Sequence, residues 1–186
     1  AEPIRRFRGA RPVELIPCIV PSPERVVALP NGPVLKLAST GGVIPRKDPL
    51  LAVRVLAELR TRGVEASLCW TGDGELREEA LRLAKELDVR AEFPGQGTPE
   101  DVARRLAEAD MFIGPTQGEN FFVAAAEALA NGRPIVASAD GGHVEYAVPQ
   151  FSEIVEDQTP KAYADGVVRL RDRMARHTAQ EVADSV

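Results

Sequence analysis

The sequence predicts an α/β fold, a doubly wound parallel sheet of the Rossmann-like kind. From Val34 onward, strand-length apolar runs alternate with segments of helical periodicity at least five times, and the connections are short and hold Gly or Pro. Such alternation implies parallel strands joined by right-handed helical crossovers. Hydrophobic residues make up 44% and charged residues 27% of the chain. That balance fits a globular domain and excludes a disordered or fibrous architecture.

The elements follow in order. Residues 1–33 stand apart, because Pro3, Pro12, Pro17, Pro21, Pro23, Pro30 and Pro33 fall too close together for any long helix. VELIPCIV and ERVVALP are short enough and apolar enough for strands but have no helices between them. This region is expected to be a linker or the remnant of an N-terminal domain that is otherwise missing. VLKLAST then reads as a buried strand, and PLLAVRVLAELRTRG as a helix with Leu51, Val55 and Leu59 at helical spacing and Gly63 as its stop. ASLCW is the next strand, followed by LREEALRLAKELDV with Leu76, Leu83 and Leu87 on one face. RAEFPG, PEDVARRLAEA, DMFIGP, NFFVAAAEALANG and RPIVASA continue the alternation, and the last helix lies around KAYADGVVRLRDRM. The domain is expected over residues 34–176, with 177–186 as a C-terminal tail.

Charge and cysteines narrow the function classes. The formal net charge is −5, and basic residues cluster only at Arg5, Arg6, Arg8 and Arg11. Nucleic-acid binding needs a basic face, so no nucleic-acid partner is expected. Cys18 and Cys69 lack CxxC spacing and sit in apolar surroundings, which predicts buried free thiols in a reducing, cytoplasmic compartment. No apolar run approaches the roughly 18 residues of a membrane span. Any membrane contact is expected at the surface only, through the absent half.

Ligands of a doubly wound sheet bind beyond the carboxyl ends of its strands. The pattern therefore selects five loops: STGGVIPRKD, TGDGE, PGQGTP, GPTQGEN and SADGGHVEY. Within GPTQGENFFVAAAEALANG, Glu119 and Glu127 are eight positions apart. A helix starting near Glu119 points its free N–H groups and positive dipole end into the crevice, suiting a diphosphate. Glu127 then lies about 12 Å further along that helix, within reach of one elongated ligand. Its setting, AAAEALA, predicts partial burial, and a buried carboxylate needs partners.

The segment from Val34 to about Met174 resembles the C-terminal, donor-binding domain of GT-B glycosyltransferases, specifically the retaining glycosyltransferase family 4 (group 1) enzymes. VIPRKDPLLAVRVLAEL and TGDGELREEALRLAKEL resemble that family's first two βα units. ADMFIGPTQGENFFVAAAEALANGRPIVASADGGHVE resembles its signature region, with Glu119 and Glu127 as the E-x7-E pair. The resemblance implies half of a GT-B fold that binds a nucleoside diphosphate sugar, UDP- or GDP-linked, with UDP favoured on frequency alone. It implies Lys47 and Glu119 as catalytic residues, Lys47 on the donor phosphates and Glu119 on the donor sugar. It further implies donor contacts from Gly41, Arg46, Asn120, Phe121, Gly141, Gly142 and Glu145, and from Glu127 on the ribose. The loop at Gly141 and Gly142 is expected to close over the phosphates.

Three positions depart from the family pattern. Gly42 stands where an arginine is usual, while Asn120 and Phe122 replace glycines. Arg46 is a candidate substitute for the arginine, although adjacent loop residues are not expected to point the same way. Phe122 is expected either to narrow the sugar pocket or to pack on the sheet. His143 and His177 have no metal-ligand spacing, so no metal or other cofactor is expected. The acceptor site is implied to lie in an N-terminal domain or separate subunit, which residues 1–33 cannot build. The alternatives are a non-catalytic glycosyltransferase-like partner module and, less favoured because of the E-x7-E region, a sugar-nucleotide epimerase.

Overall fold

The computed structural model describes residues 18, 20 and 23–186. The arginines of the N-terminal arm and most of VELIPCIV lie outside them. In chain order the elements are β1 (Leu35–Thr40), α1 (Pro49–Thr61), β2 (Ala66–Thr71), α2 (Arg77–Glu86), β3 (Arg90–Gly95), α3 (Pro99–Ala107) and β4 (Met111–Gly114). There follow α4 (Val123–Ala130), β5 (Ile135–Ser138), β6 (Ser152–Val155), α5 (Pro160–Met174) and α6 (Ala179–Ala183).

The strands form one parallel six-stranded sheet in the order β3-β2-β1-β4-β5-β6. This is the doubly wound arrangement the alternation predicts. β1 lies at the switch point, pairing Leu37 with Leu68 of β2 on one side and with Met111 of β4 on the other. The chain winds outward from β1 to β3 and returns to β4, so the loops after β1 and β4 diverge and leave a crevice between them.

Side chains fill both faces. α1 begins on Pro49 with the Asp48 carboxylate accepting from the Leu51 N–H at 3.0 Å, and buries Leu51, Ala52, Val53, Val55, Leu56 and Leu59. On α2 the buried residues are Ala80 and Ala84, with Leu76, Leu83 and Leu87 half-buried at the sides. Small residues at the centre bring this helix close to the sheet. A Thr98–Asp101 capping box starts α3, and the Thr159 hydroxyl caps α5. α4 has no side-chain cap, and five of its eight residues are buried.

The structure corrects the sequence reading in several places. Residues 24–30 form no strand; instead the buried Arg133 guanidinium donates to the Val27 and Ala109 carbonyls and holds that segment against the domain. SEIV forms the edge strand β6, which the reading omitted. Residues 177–186, read as a tail, carry α6, whose Thr178–Glu181 capping box starts it and whose Ala179 and Val182 are buried. Both cysteines are free, but Cys18 is exposed and Cys69 only half-buried. Among the described residues, no helix is long and apolar enough to cross a membrane.

Candidate donor-binding site

A cleft of about 1090 Å³ opens at the carboxyl ends of β1, β2, β3 and β4. Its walls come from the first four of the loops that the sequence selects, together with α3 and the first turns of α4. Gly41, Gly42, Arg46, Lys47, Glu119, Asn120, Phe121 and Glu127 all line it.

The centre of the site is a cluster joining the loops after β1 and β4. Pro45–Lys47 form a single 3-10 turn. Arg46 Nη1 lies 2.8 Å from Glu119 Oε1, and Lys47 Nζ pairs with the same oxygen. The Thr116 hydroxyl also donates to it, at 2.8 Å. The Gln117 N–H donates to the Arg46 carbonyl at 2.8 Å, which fastens the two loops together. The expectation that Arg46 and Lys47 point apart is therefore overturned: the tight turn and the long guanidinium stem bring both cations to one carboxylate. Lys47 and Glu119 are largely covered, with side-chain exposures of 13% and 11%, while Arg46 remains 47% exposed.

The position of Glu119 also needs correction. α4 starts at Val123, with Phe122 before it in the left-handed conformation at φ 61°. Glu119 thus sits in the preceding loop and not at the helix mouth. Its backbone forms a parallel bridge with Gly141, and the Gly142 N–H donates to its carbonyl at 3.0 Å. Two helical turns therefore do not separate Glu119 from Glu127, although both face the same cleft. The first turn of α4 has no side-chain cap: the Ala125 N–H donates to the Phe122 carbonyl at 3.0 Å, which leaves the N–H groups of Val123 and Ala124, both in the cleft lining, open.

Gly141, Gly142 and Glu145 do not line the cleft. The loop after β5 runs beneath the Glu119–Asn120 segment instead of over the cleft. A Cβ on Gly142 would lie 2.0 Å from the Asn120 carbonyl oxygen, so only glycine allows this approach. Glu145 is exposed on the far part of the loop. Phe122 packs on the sheet, 4% exposed, with its ring 5.8 Å from that of Phe112. Thr40, Thr71, Asp73 and Gln96 line the cleft and were not singled out from sequence. Their only sequence signal is a place at a strand end or in one of the selected loops. Among the described residues, no three His, Cys, Asp or Glu side chains are grouped to hold a metal.

The two glutamates are tuned in opposite directions. Burial raises the Glu119 pKa, but hydrogen bonds from Lys47 and Thr116 and the charges of Lys47 and Arg46 outweigh it, holding the carboxyl below its ordinary range. Burial alone raises Glu127, which has no partner among the described residues. Glu119 therefore contributes stability that is present above the ordinary glutamate pKa of about 4.3 and is lost as pH falls through its depressed folded value. The Glu127 contribution is present below about 4.3 and is lost as pH rises through its raised value. In thermal melts, the deficit of Glu119→Gln against wild type is expected to shrink on acidification. Glu127→Gln is expected to gain on wild type as pH rises above the ordinary carboxylate range. Melting-temperature differences that stay flat with pH would contradict both assignments.

Fold and site together define a doubly wound α/β domain, with a cleft at the switch point and two cations near the N-terminus of α4. The sequence model of the family described as "Glycosyl transferases group 1" matches residues 35–173, and the chain belongs to that family. It is 35% identical over 142 residues to a GDP-mannose-dependent alpha-(1-6)-phosphatidylinositol dimannoside mannosyltransferase of Mycobacterium tuberculosis, covering 76% of this chain and 36% of that protein. It is 26% identical over 154 residues to a GDP-mannose-dependent monoacylated alpha-(1-6)-phosphatidylinositol monomannoside mannosyltransferase of Corynebacterium glutamicum, covering 79% of this chain and 40% of that protein. The chain thus spans only 36–40% of the length of these two relatives. Among solved structures, the catalytic domain of cholesterol-alpha-glucosyltransferase from Helicobacter pylori superposes with a TM-score of 0.71 at 19% identity, over 83% of this chain and 97% of that one. Anabaena Alr3699/HepE in complex with UDP and glucose superposes at 0.70 and 17% identity, over 82% of this chain and 42% of that one.

Proposed function

We propose that this chain is the donor-binding part of a retaining glycosyltransferase, moving a sugar from a nucleoside diphosphate sugar to an acceptor held by a second domain or subunit. The observation that carries this reading is the convergence of Arg46, Lys47 and the open first turn of α4 on one cleft. Two fixed cations and a helix N-terminus suit a diphosphate, and they stabilise the charge that develops when it leaves. Both cations now rest on Glu119. A diphosphate arriving between them takes over that role and releases the Glu119 carboxylate to accept from a donor-sugar hydroxyl. Glu127, unpaired at the cleft wall, accepts from the ribose, which supplies the partner its burial calls for. Asn120 and Phe121 offer backbone groups to the sugar and phosphates. Arg46 beside Lys47 supplies the second cation that Gly42 withholds, which favours the catalytic reading over a non-catalytic partner module.

The mannosyl relatives named above make GDP-mannose the favoured donor and UDP-sugars the alternative. Binding is proposed to need no metal, and the protein to work in the cytoplasm. Calorimetric titration of GDP-mannose, UDP-glucose, GDP and guanosine into the chain tests this. The diphosphates are expected to bind more tightly than guanosine, with GDP-mannose ahead of UDP-glucose and with EDTA changing nothing. Glu127→Ala is expected to lose about tenfold in affinity for GDP and guanosine alike, the cost of one charge-assisted hydrogen bond. The chain alone is expected to transfer no sugar, because near-attack geometry needs the acceptor surface as well. Equal binding of diphosphate and bare nucleoside, or binding of neither, would overturn the reading.

A further inference from the structure

Phe122 is a bulky residue held at φ 61°, a left-handed conformation that side chains of this kind rarely adopt. Such a conformation persists only where its surroundings over-determine it. Here the surroundings are specific. The Tyr146 hydroxyl donates to the Phe122 carbonyl at 2.8 Å and fixes the backbone. The ring enters the space left by Gly114, where a Cβ would stand 2.5 Å from the Phe122 ring. Phe112 and His143 close on it at 5.8 and 5.2 Å between centroids, each ring steeply inclined to the Phe122 plane. Lys47 Nζ lies 4.5 Å from the ring centroid. The ammonium is thus held between an aromatic ring and the Glu119 carboxylate.

We propose that Phe122 is a positioning residue for Lys47: its ring is the seat that keeps the ammonium at the phosphate end of the cleft when a ligand draws Glu119 away. This rests on the donor-site reading above. The physical reason is that Glu119 cannot be the lasting anchor if it turns to the sugar. A lysine stem left with no other contact would lose the ammonium to many rotamers, whereas a ring attracts a cation through its quadrupole and cannot be displaced by a phosphate. His143 supports the seat without competing for it. It is fully buried, and its Nε2 bonds to the Ser138 carbonyl at 2.6 Å. Burial holds its pKa down against the hydrogen bond to Ser138 and the charges of Glu119 and Asp140, so the ring beside Phe122 stays neutral.

The test uses Phe122→Leu and Phe122→Met, two apolar side chains without a ring, in the full chain with two readouts. The first is the ring-current shift of the Lys47 ε-methylene protons by NMR, assigned with Lys47→Arg. It is expected upfield in wild type and normal in both variants, and it needs no ligand. The second is the ratio of GDP to guanosine affinity, expected to fall about three- to tenfold in both variants. A merely structural role would lower both affinities together and leave the ratio unchanged, which would overturn the proposal. An unshifted ε-methylene in wild type would also overturn it. A shifted ε-methylene in a wild type that does not prefer GDP to guanosine would instead remove the donor-site reading, and the proposal with it.

Discussion

Lys47→Ala is expected to lose at least tenfold in affinity for a nucleoside diphosphate while guanosine affinity stays within about twofold, the signature of one charge-assisted contact to phosphate. The structure makes this contact specific. The Lys47 side chain is only 13% exposed and its ammonium is held by Glu119 and Phe122, so little ordering remains to be done when a phosphate arrives. Arg46, on the same turn but 47% exposed, compensates in part through a better-screened charge. The wild-type preference for diphosphate is therefore expected to shrink as salt rises, and to shrink less in the alanine variant, which has already lost the cation most responsible for it. Gly42→Arg is expected to restore part of the loss, because the atoms nearest to a Cβ at that position belong to the Ile44 side chain, at an ordinary 3.5 Å. Titration of GDP and guanosine into wild type, Lys47→Ala and the double variant decides this. A Lys47→Ala protein that binds both ligands as wild type does would remove Lys47 from the phosphate site.

Gly142→Ala is expected to destabilise the loop that carries Glu119. Its Cβ would stand 2.0 Å from the Asn120 carbonyl oxygen and 3.1 Å from the carbonyl carbon, both backbone atoms that no rotamer change can move. Relief requires shifting the Glu119–Asn120 segment, which breaks the Gly142 N–H bond to the Glu119 carbonyl and disturbs the Glu119–Gly141 bridge. The destabilisation is expected to be about 3 kcal/mol, at the upper end for overpacking. For a chain of this size that lowers Tm by about 6–12 °C. Because the shifted segment carries Glu119, diphosphate binding is expected to weaken as well. Gly32→Ala is the control: nothing lies within 4 Å of its Cβ, and its Tm is expected to match wild type within error. Differential scanning calorimetry of the two variants reads the result, and a Gly142→Ala protein as stable as Gly32→Ala would show that the loop after β5 is not packed against Glu119.

Much of this was legible in the residues themselves. The alternation from Val34 onward predicted the parallel sheet, because helix and strand periodicities are local properties of side-chain spacing. β6 escaped because SEIV is four residues long with two half-buried positions at the sheet's edge, too short to show a period. α6 escaped for the same reason, being five residues long. Glu119 and Lys47 were visible as residue types in loops that border the cleft and Glu127 on the helix that follows, and the cleft lies where the strand order requires.

What the sequence by itself determined is thus the layered α/β architecture, the edge of the sheet where the cleft opens, and the loops that supply its lining groups. The tertiary structure alone decided which of those groups meet. Arg46, Lys47 and Glu119 converge because β1 and β4 are neighbours at the switch point, a pairing between residues more than 70 positions apart that no local pattern encodes. The late start of α4, the left-handed Phe122 and the loop at Gly142 running beneath the site were likewise fixed by contacts between distant segments. Periodicity reports the face a residue turns toward the core; the partner that waits there depends on strand order and on how closely two backbones can approach.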